Sequence, residues 1–332
     1  MEQNQSFGKK SVDFLIWLLF GAVLLFGGMY VPLLGVIAVF LWVLPVVLAV
    51  YRNGIGVGVL LSLALGILAF WGTGLPGGII VIGSMTVLAL FYGISLRKKT
   101  APGKTLCIGI FIGIALGLLY IAWSYFEGGM TLGELRTLLE TELEKVYRVY
   151  VESGMLDAAL TEGLSVEAYV TELVEQMVQV LPSFLFISVI MIAAVNYIIA
   201  QYVLKRCSAD IRPLPGFRDW HLPWWSLWGV VVALMFYVGG NFFDSELFLA
   251  IAKNILLCYM PILVVAGISL VRYFFVVLHA PRGVQAVVWI IAMLFMSVSL
   301  MFFVLMGAAD AAVNYRAGFM KKKNNNIGGH TK

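Results

Sequence analysis

Charged residues are scarce in this sequence. Its 332 residues include 18 acidic and 22 basic ones, together 12% of the chain, whereas 61% are hydrophobic. A soluble domain usually carries about a quarter charged residues. The composition therefore excludes an ordinary soluble protein and indicates a chain whose solvent is lipid. We expect the bilayer, and no nucleic acid, as its surroundings.

Cysteines and catalytic motifs are also scarce. Cys107, Cys207 and Cys258 are far apart and form no CxxC pair, so neither a disulfide framework nor a zinc site is expected. The sequence lacks HExxH, GxxxxGK[ST] and GxSxG motifs. The glycine-rich segment GIGVGV, residues 54–59, lacks a preceding strand and is interpreted as close helix packing through small residues. We expect no enzyme activity, no metal and no cofactor.

Long apolar runs are abundant instead. A transmembrane helix needs about 20 apolar residues, and the strands of a membrane barrel would alternate in polarity, which these runs do not. The predicted fold class is therefore an all-α polytopic membrane protein with eight or nine transmembrane helices. The predicted spans are 14–30, 33–51, 54–71, 76–96, 106–126, 183–204, 222–241, 247–272 and 284–307.

Basic residues predict the orientation. Lys9 and Lys10, Arg52, the segment RKKTAPGKT at 97–105 and the segment KRCSADIR at 205–212 all fall on one side of the first six spans. Because cytoplasmic loops are enriched in Lys and Arg, we expect a multi-pass protein of the bacterial cytoplasmic membrane with a cytoplasmic N-terminus.

The C-terminal part conflicts with this pattern. Nine spans would place Arg316 and Lys321–Lys323 outside. The weakest crossing is 247–272, where Pro261 can break a helix. We favour eight full crossings and a cytoplasmic tail, with nine crossings as the alternative.

One long segment is acidic and does not fit a span. Residues 127–181 contain eleven acids and three bases, a net charge of −8. Apolar residues recur there at three- and four-residue spacing from Leu132 to Tyr150 and again from Val166 to Met177, which predicts two amphipathic helices. Thr131 and Glu134 fit a capping box. We expect an external acidic helical hairpin, either a solvated cap or a lid that docks a partner.

The predicted organisation follows from these segments. A five-helix membrane part (1–126) is followed by the acidic insertion (127–181) and a sixth span (182–204). After these come a basic cytoplasmic loop (205–221), a membrane part of two to three spans (222–312) and a basic flexible tail (313–332).

Three polar or aromatic features are candidates for function. Gly307, Asp310 and Asn314 share a helix face, and Arg316 lies well round the helix. An intrahelical ion pair with Asp310 is therefore not expected, and Asp310 needs a partner from another helix or interfacial water. The segment FRDWHLPWWSLW at 217–228 predicts an interfacial belt or a docking motif. Asn196 and Gln201 predict interhelical hydrogen bonds or a substrate contact.

Two regions together resemble a known family. The segment LMGAADAAVNYR at 305–316 and the segment FRDWHLP at 217–223 are similar to motifs of the YybS-like family of uncharacterised bacterial membrane proteins. The resemblance assigns motif or anchor positions to Trp220, Pro223, Gly307, Asp310 and Arg316.

The N-terminal half also resembles the substrate-binding S-components of energy-coupling factor transporters. The resemblance rests on Pro32, Pro45, Arg52, Gly54 and Gly58, and on six spans up to residue 204. It implies binding of a small vitamin or metal chelate near the outer face, beside a transmembrane partner with ATPase subunits.

The function expected from these features is small-solute binding or transport as part of a complex. A binding pocket would use the aromatic residues at the outer helix ends and one buried amide: Tyr30, Trp71, Trp123, Tyr125 and Asn196. The alternative is a non-catalytic, MreD-like membrane scaffold in the cell-envelope or division machinery, bound to envelope proteins.

Overall fold

The computed structural model describes residues 2–80, 82, 83, 86–126, 131–153 and 165–316. Twelve α-helices follow one another within these ranges, with 3₁₀ turns at Phe217–Asp219 (η1) and Trp224–Leu227 (η2). The helices are α1 Glu2–Tyr30, α2 Pro32–Leu41, α3 Leu44–Asn53, α4 Ile55–Ile80, α5 Thr86–Arg97, α6 Pro102–Phe126, α7 Leu132–Glu152, α8 Val166–Arg206, α9 Trp228–Phe242, α10 Glu246–Val277, α11 Arg282–Leu294 and α12 Met296–Val313.

Eight helical segments in the described ranges are long and apolar enough to cross a membrane, which confirms the predicted all-α polytopic fold class. Two apolar helices, α5 and α11, are shorter. The chain divides into two compact units. Unit 1 comprises residues 1–135 and 188–214, and unit 2 comprises residues 136–187 and 215–332.

The core of unit 1 is α3. Every residue from Leu44 to Val50 is buried, and α1, α4 and α5 pack around the helix. Contact is close because glycines face it. A β-carbon on Gly93 would lie 2.6 Å from Val50 Cβ, and one on Gly58 would lie 2.1 Å from Val50 Cγ2. Lipid provides little hydrophobic driving force for the association of helices. Close packing of the helices at small residues therefore stabilises their association. Gly58 therefore packs as the interpretation of GIGVGV predicted.

The last part of α8 closes unit 1 against α5 and α6. Tyr92 is fully buried, donates its hydroxyl hydrogen to the carbonyl oxygen of Ala193 (3.0 Å) and packs against the Tyr197 ring, with centroids 5.1 Å apart. On α6, a β-carbon at Gly109 would lie 2.2 Å from the Tyr92 hydroxyl oxygen. The absence of a side chain at Gly109 thus provides the space that the tyrosine occupies.

Unit 2 is organised around α10, which packs against α9 and α12. The helix is continuous for 32 residues, although it contains Pro261. The prediction that segment 247–272 is the weakest crossing is therefore wrong. A β-carbon on Gly267 would lie 2.0 Å from the carbonyl oxygen of Phe303, and one on Gly307 would lie 2.1 Å from that of Leu263. Only glycine permits this backbone approach.

The reversal lies instead inside the predicted span 284–307. The helix breaks at Phe295, between α11 and α12. Trp289 and Phe303 are 14 positions apart, which in one straight helix would separate them by about 21 Å. Their ring centroids are 6.2 Å apart. α11 and α12 therefore form a helical hairpin, and the prediction of one continuous ninth span is wrong.

α7 and the beginning of α8 form the predicted acidic helical hairpin within unit 2. Ion pairs join Arg136 to Glu175 and Arg148 to Glu167, and the rings of Tyr147 and Tyr169 pack with centroids 5.4 Å apart. The order of these pairs makes the two helices antiparallel. The connecting residues 154–164 lie outside the described residues, and the external position of the hairpin stays a prediction.

The predicted capping box begins α7. The Thr131 backbone N–H donates to Glu134 Oε2 (2.7 Å), and the Glu134 N–H donates to Thr131 Oγ1 (3.2 Å). The Thr131 N–H and the Thr131 hydroxyl both donate to Glu134 Oε2, and these two bonds hold the pKa of the Glu134 carboxyl below its usual range. The capping box is confirmed.

A side chain from α10 repairs a break in α8. Pro182 lies inside α8 and disturbs its hydrogen-bond ladder. The Ser183 N–H donates to Asn254 Oδ1 (2.9 Å), and Asn254 Nδ2 donates to the carbonyl oxygen of Gln179 (2.7 Å). Asn254 thus bridges the donor and the acceptor that an unbroken helix would have paired directly.

Candidate functional site

The candidate site of unit 2 begins where α12 ends. Asn314 adopts the left-handed conformation (φ 52°) as the C-cap, and its N–H donates to the carbonyl oxygen of Asp310 (2.8 Å). The chain therefore leaves the helix axis, and Arg316 turns back. Its Nε donates to Asp310 Oδ2 across 2.9 Å. The expectation that these two residues do not pair is wrong, because it assumed that the helix continued to Arg316.

The other donors of Arg316 bind two more segments. Its Nη1 donates to the carbonyl oxygen of Arg218 in η1, and its Nη2 donates to Ser269 Oγ on α10 (3.2 Å). The Ser269 hydroxyl in turn lies 2.6 Å from the carbonyl oxygen of Phe217 and 2.7 Å from that of Trp220. One guanidinium therefore joins α10, α12 and the loop before α9. We call this arrangement the C-terminal clasp: Ser269, Tyr273, Asp310, Arg316 and the carbonyl groups of residues 217, 218 and 220.

The clasp is dry and charge-balanced. The side chains of Asp310 and Arg316 are 2% and 6% exposed. The guanidinium carbon lies 5.6 Å from the centre of the Tyr273 ring, which provides a cation–π contact. Removing one partner of a buried ion pair costs about 3–5 kcal/mol, because the other charge is left uncompensated. Within the described part of the chain, Asp310 Oδ1 has no hydrogen-bond partner.

The other motif residues lie around the clasp. Trp220 Nε1 donates to the carbonyl oxygen of Pro215 (3.0 Å), which fixes the ring beside that of Phe217. Pro223 precedes η2 and accepts a hydrogen bond from the Ser226 hydroxyl (2.7 Å). Gly307 provides the close contact of α12 with α10. The two resemblance regions, about 90 positions apart in the sequence, therefore meet within unit 2.

The clasp also shows which helix ends of unit 2 lie close together. Since Arg316 contacts both the η1 loop and the C-terminal half of α10, the base of the tail lies at the same end of unit 2 as residues 215–220. This agrees with a reversing hairpin at α11 and α12, and the number of membrane crossings stays a prediction. The lysine run at 321–323 lies outside the described residues.

The aromatic residues proposed for a solute pocket lie at helix ends in unit 1. Tyr30 ends α1 and is 75% exposed, and Trp71 on α4 is 83% exposed. A β-carbon on Gly72 would lie 2.9 Å from Met29 Cε, so α1 and α4 meet next to these two rings. Trp123 and Tyr125 end α6 and are exposed. Their contact with a ligand stays a prediction.

Asn196 lies in the interior of the same unit and is 2% exposed. Its Nδ2 donates to the carbonyl oxygens of Val39 on α2 (3.3 Å) and Ile192 (2.9 Å). Because both partners are acceptors, the amide orientation is determined, and Oδ1 points elsewhere. That oxygen is buried and has no hydrogen-bond partner in the part of the chain that the structure describes. Asn196 is therefore an interhelical donor with an unused acceptor.

Gln201 contrasts with Asn196, since all of its groups are used inside unit 1. Its Nε2 donates to the Tyr197 hydroxyl oxygen (2.8 Å) and to the carbonyl oxygen of Arg212 (3.2 Å), and its Oε1 accepts from the Leu214 N–H (3.0 Å). It anchors the segment after α8 to that helix. Its partners lie on α8 itself and in the following segment, so the prediction of an interhelical hydrogen bond is wrong for Gln201.

Sequence reasoning missed Ser269, Tyr273 and Asn254. The first two lie four positions apart on one face of α10, and Asn254 is a polar residue within an apolar run. The only sequence signal for these three residues was a polar group within an apolar helix. Such residues are common in apolar helices and have no single role, so the signal does not identify their contacts.

The helices, their apolar surfaces and the dry polar contacts between them define a polytopic α-helical membrane protein, which lies in the lipid bilayer. The chain belongs to the predicted membrane protein family DUF2232, whose model matches residues 19–311. It is 27% identical over 201 residues to the uncharacterized protein YybS of Bacillus subtilis (strain 168). That match covers 58% of this chain and 61% of the relative. No solved structure matches the chain.

Proposed function

We propose that this protein binds a small solute as the membrane component of a transport complex, with the binding site in unit 1. The observation that carries the proposal is the buried, unused Oδ1 of Asn196. A buried acceptor without a donor is costly, and such groups often have a functional partner. A solute with an N–H or O–H group would supply the missing donor.

The surroundings of Asn196 support a binding role. Its partner Val39 is seven positions from Pro32, which begins α2 directly after Tyr30. The amide therefore lies about 10 Å along α2 from the helix ends near Tyr30 and Trp71. Exposed aromatic rings above a single buried polar group suit a small, partly apolar ligand. Unit 1 contains the helices that resemble the six-span S-component core. A partner with ATPase subunits would supply the driving force, since the sequence has no nucleotide-binding loop.

Native mass spectrometry of the protein extracted gently from its host membrane tests this function. We expect a co-purifying small molecule that is lost in Trp71→Ala and in Asn196→Leu. The matched control is Phe111→Ala, which removes an equally exposed ring from α6. A wild-type protein that carries no small molecule, or equal loss in Phe111→Ala, would contradict the proposal.

A membrane scaffold is the second candidate. The clasp holds residues 217–220 of the loop before α9, and the end of this loop and the start of α9 carry Trp224, Trp225 and Trp228, each more than half exposed. A rigid aromatic surface of this kind suits a protein partner. The same experiment separates the two functions: stoichiometric envelope or division proteins, without a small molecule, favour the scaffold.

A further inference from the structure

Two arginines of unit 1 converge on one turn between helices. Arg52 ends α3, and its guanidinium carbon lies 5.7 Å from the centre of the Trp17 ring on α1. Arg97 ends α5, and its Nη1 lies 3.3 Å from the position that a β-carbon on Gly54 would take. In the described residues, neither guanidinium has a carboxylate within 4.0 Å. Arg52 in the turn 52–54 and Arg97 beside it are therefore two positive charges without an ion-pair partner among the described residues.

Two buried donors without an acceptor lie at this turn and beside it. Trp17 Nε1 and Asn53 Nδ2 are both inaccessible to solvent and have no hydrogen-bond partner among the residues that the structure describes. Trp17 is the residue beneath Arg52, and Asn53 lies between Arg52 and Gly54. Buried donors are nearly always paired, so two at one turn indicate that an acceptor belongs there.

The backbone adds to this electrostatic pattern. Gly54 has φ +97°, a conformation that favours glycine, and α4 begins at the next residue. The N–H groups of the first turn of a helix and its dipole favour an anion. Apart from its chain neighbours and the backbone of its own helix, no described atom lies within 4 Å of the β-carbon position on Gly56, so this first turn is open on that side.

We propose that the turn 52–54, with Trp17 and Arg97, binds the phosphate group of an anionic ligand. A phosphate group has enough acceptor oxygens for two guanidinium groups, the indole N–H and the Asn53 amide, and arginine binds phosphate through paired hydrogen bonds. The site does not depend on the solute-binding function proposed above. Its chemistry fits either a phospholipid headgroup or a soluble phosphate.

Two neighbouring basic residues already have partners. Lys99 is paired with Asp210, and the Arg206 guanidinium donates to the Tyr202 hydroxyl oxygen and stacks on its ring. Arg206 is exposed and belongs to the same unit. It is therefore a matched control for the removal of one guanidinium.

The experiment uses the full chain in nanodiscs of phosphatidylcholine with a minor fraction of phosphatidylglycerol. The phosphatidylglycerol retained after gentle delipidation is counted by native mass spectrometry, with and without excess inorganic phosphate. We expect Arg97→Gln and Arg52→Gln to lower retention about tenfold or more, and Arg206→Gln to change it less than about twofold. Trp17→Phe keeps the ring under Arg52 but deletes the indole N–H, and we expect a loss of several-fold.

The outcomes distinguish the two possible sources of the phosphate group, a phospholipid headgroup and a soluble phosphate. Retention that inorganic phosphate does not displace identifies a lipid headgroup. Displacement by phosphate, together with phosphate binding in pure phosphatidylcholine discs, identifies a soluble phosphate. Equal losses in Arg97→Gln and Arg206→Gln would mean a general basic surface and would overturn the proposal, as would unchanged retention in Arg97→Gln or Trp17→Phe.

Discussion

Arg316 Nε donates to Asp310 Oδ2 across 2.9 Å, although six positions of chain place the two residues on different sides of an ideal helix. The left-handed Asn314 makes the contact possible, because it ends α12 and reverses the chain. The ion pair is the centre of the C-terminal clasp, which holds α10, α12 and the loop at 215–220 together.

The first prediction concerns this pair. Asp310→Asn leaves the Arg316 guanidinium buried without a counter-charge, so we expect a loss of about 3–5 kcal/mol in stability. The measurement is thermal unfolding of the purified protein in detergent. Asp219→Asn, an exposed acid of the same loop, is the control and should change stability by less than about 0.5 kcal/mol. Similar unfolding midpoints for the two variants would contradict a stabilising clasp.

A second prediction concerns the Pro182 break in α8. Asn254→Ala leaves the Ser183 N–H and the Gln179 carbonyl without their bridge, so we expect a loss of about 1–3 kcal/mol. Pro182→Ala allows the helix to form its own ladder and should reduce the cost of Asn254→Ala. The check is a double-mutant cycle by thermal unfolding. Purely additive effects would show that Asn254 does not act through the proline break.

A third prediction follows from the α11–α12 hairpin. Because the clasp holds Arg316 beside Arg218, reporters fused after Leu214 and after Lys323 should be on the same side of the membrane. A reporter fused after Asp244, between α9 and α10, should be on the opposite side. If the fusions after Leu214 and Lys323 report opposite sides, the segment 282–313 crosses the membrane and the assignment of the hairpin fails.

The fourth prediction is a pH dependence at the start of α7. The hydrogen bonds of Thr131 lower the pKa of Glu134 below its unfolded value. A carboxyl whose folded pKa is lowered stabilises the fold above the unfolded pKa, and the effect is lost as the pH falls through the folded pKa. The protection factors of the amides at residues 132–135, which are the exchange rates corrected for their intrinsic pH dependence, should therefore fall below about pH 4.

Variants of Glu134 test this assignment. Glu134→Gln preserves a capping box without a charge, so its protection factors should stay high and lose the fall at low pH. Glu134→Ala should exchange faster at every pH. Glu142→Gln, an exposed acid later in α7, is the control, and it should keep the pH response of the wild-type protein.

The sequence predicted those features that depend on local composition. The other spans up to residue 241, the two amphipathic helices of the acidic segment and the Thr131–Glu134 capping box follow from hydropathy, spacing and neighbouring residues. The predicted span 76–96 is wrong, because it falls on the end of α4 and on the shorter helix α5. The close packing of Gly58 was also predictable, since small residues in apolar helices rarely have another role.

The break at Phe295 could not be predicted in this way. Residues 284–307 contain no charged residue and neither glycine nor proline before Gly307, so hydropathy indicates one helix. The reversal is stabilised by contacts of Trp289 with Phe275 and Phe303. Such contacts join residues that are far apart in the sequence, and a prediction from local hydropathy does not include them.

By itself, the sequence determined that this is a helical membrane protein, because a long apolar run can satisfy its backbone in lipid only as a helix. Only the tertiary structure decided how the polar residues inside those helices are used. Arg316 meets Ser269 and Arg218, which are 47 and 98 positions away. Buried polar groups must find partners wherever the fold places them, and spacing along the chain does not encode those distances.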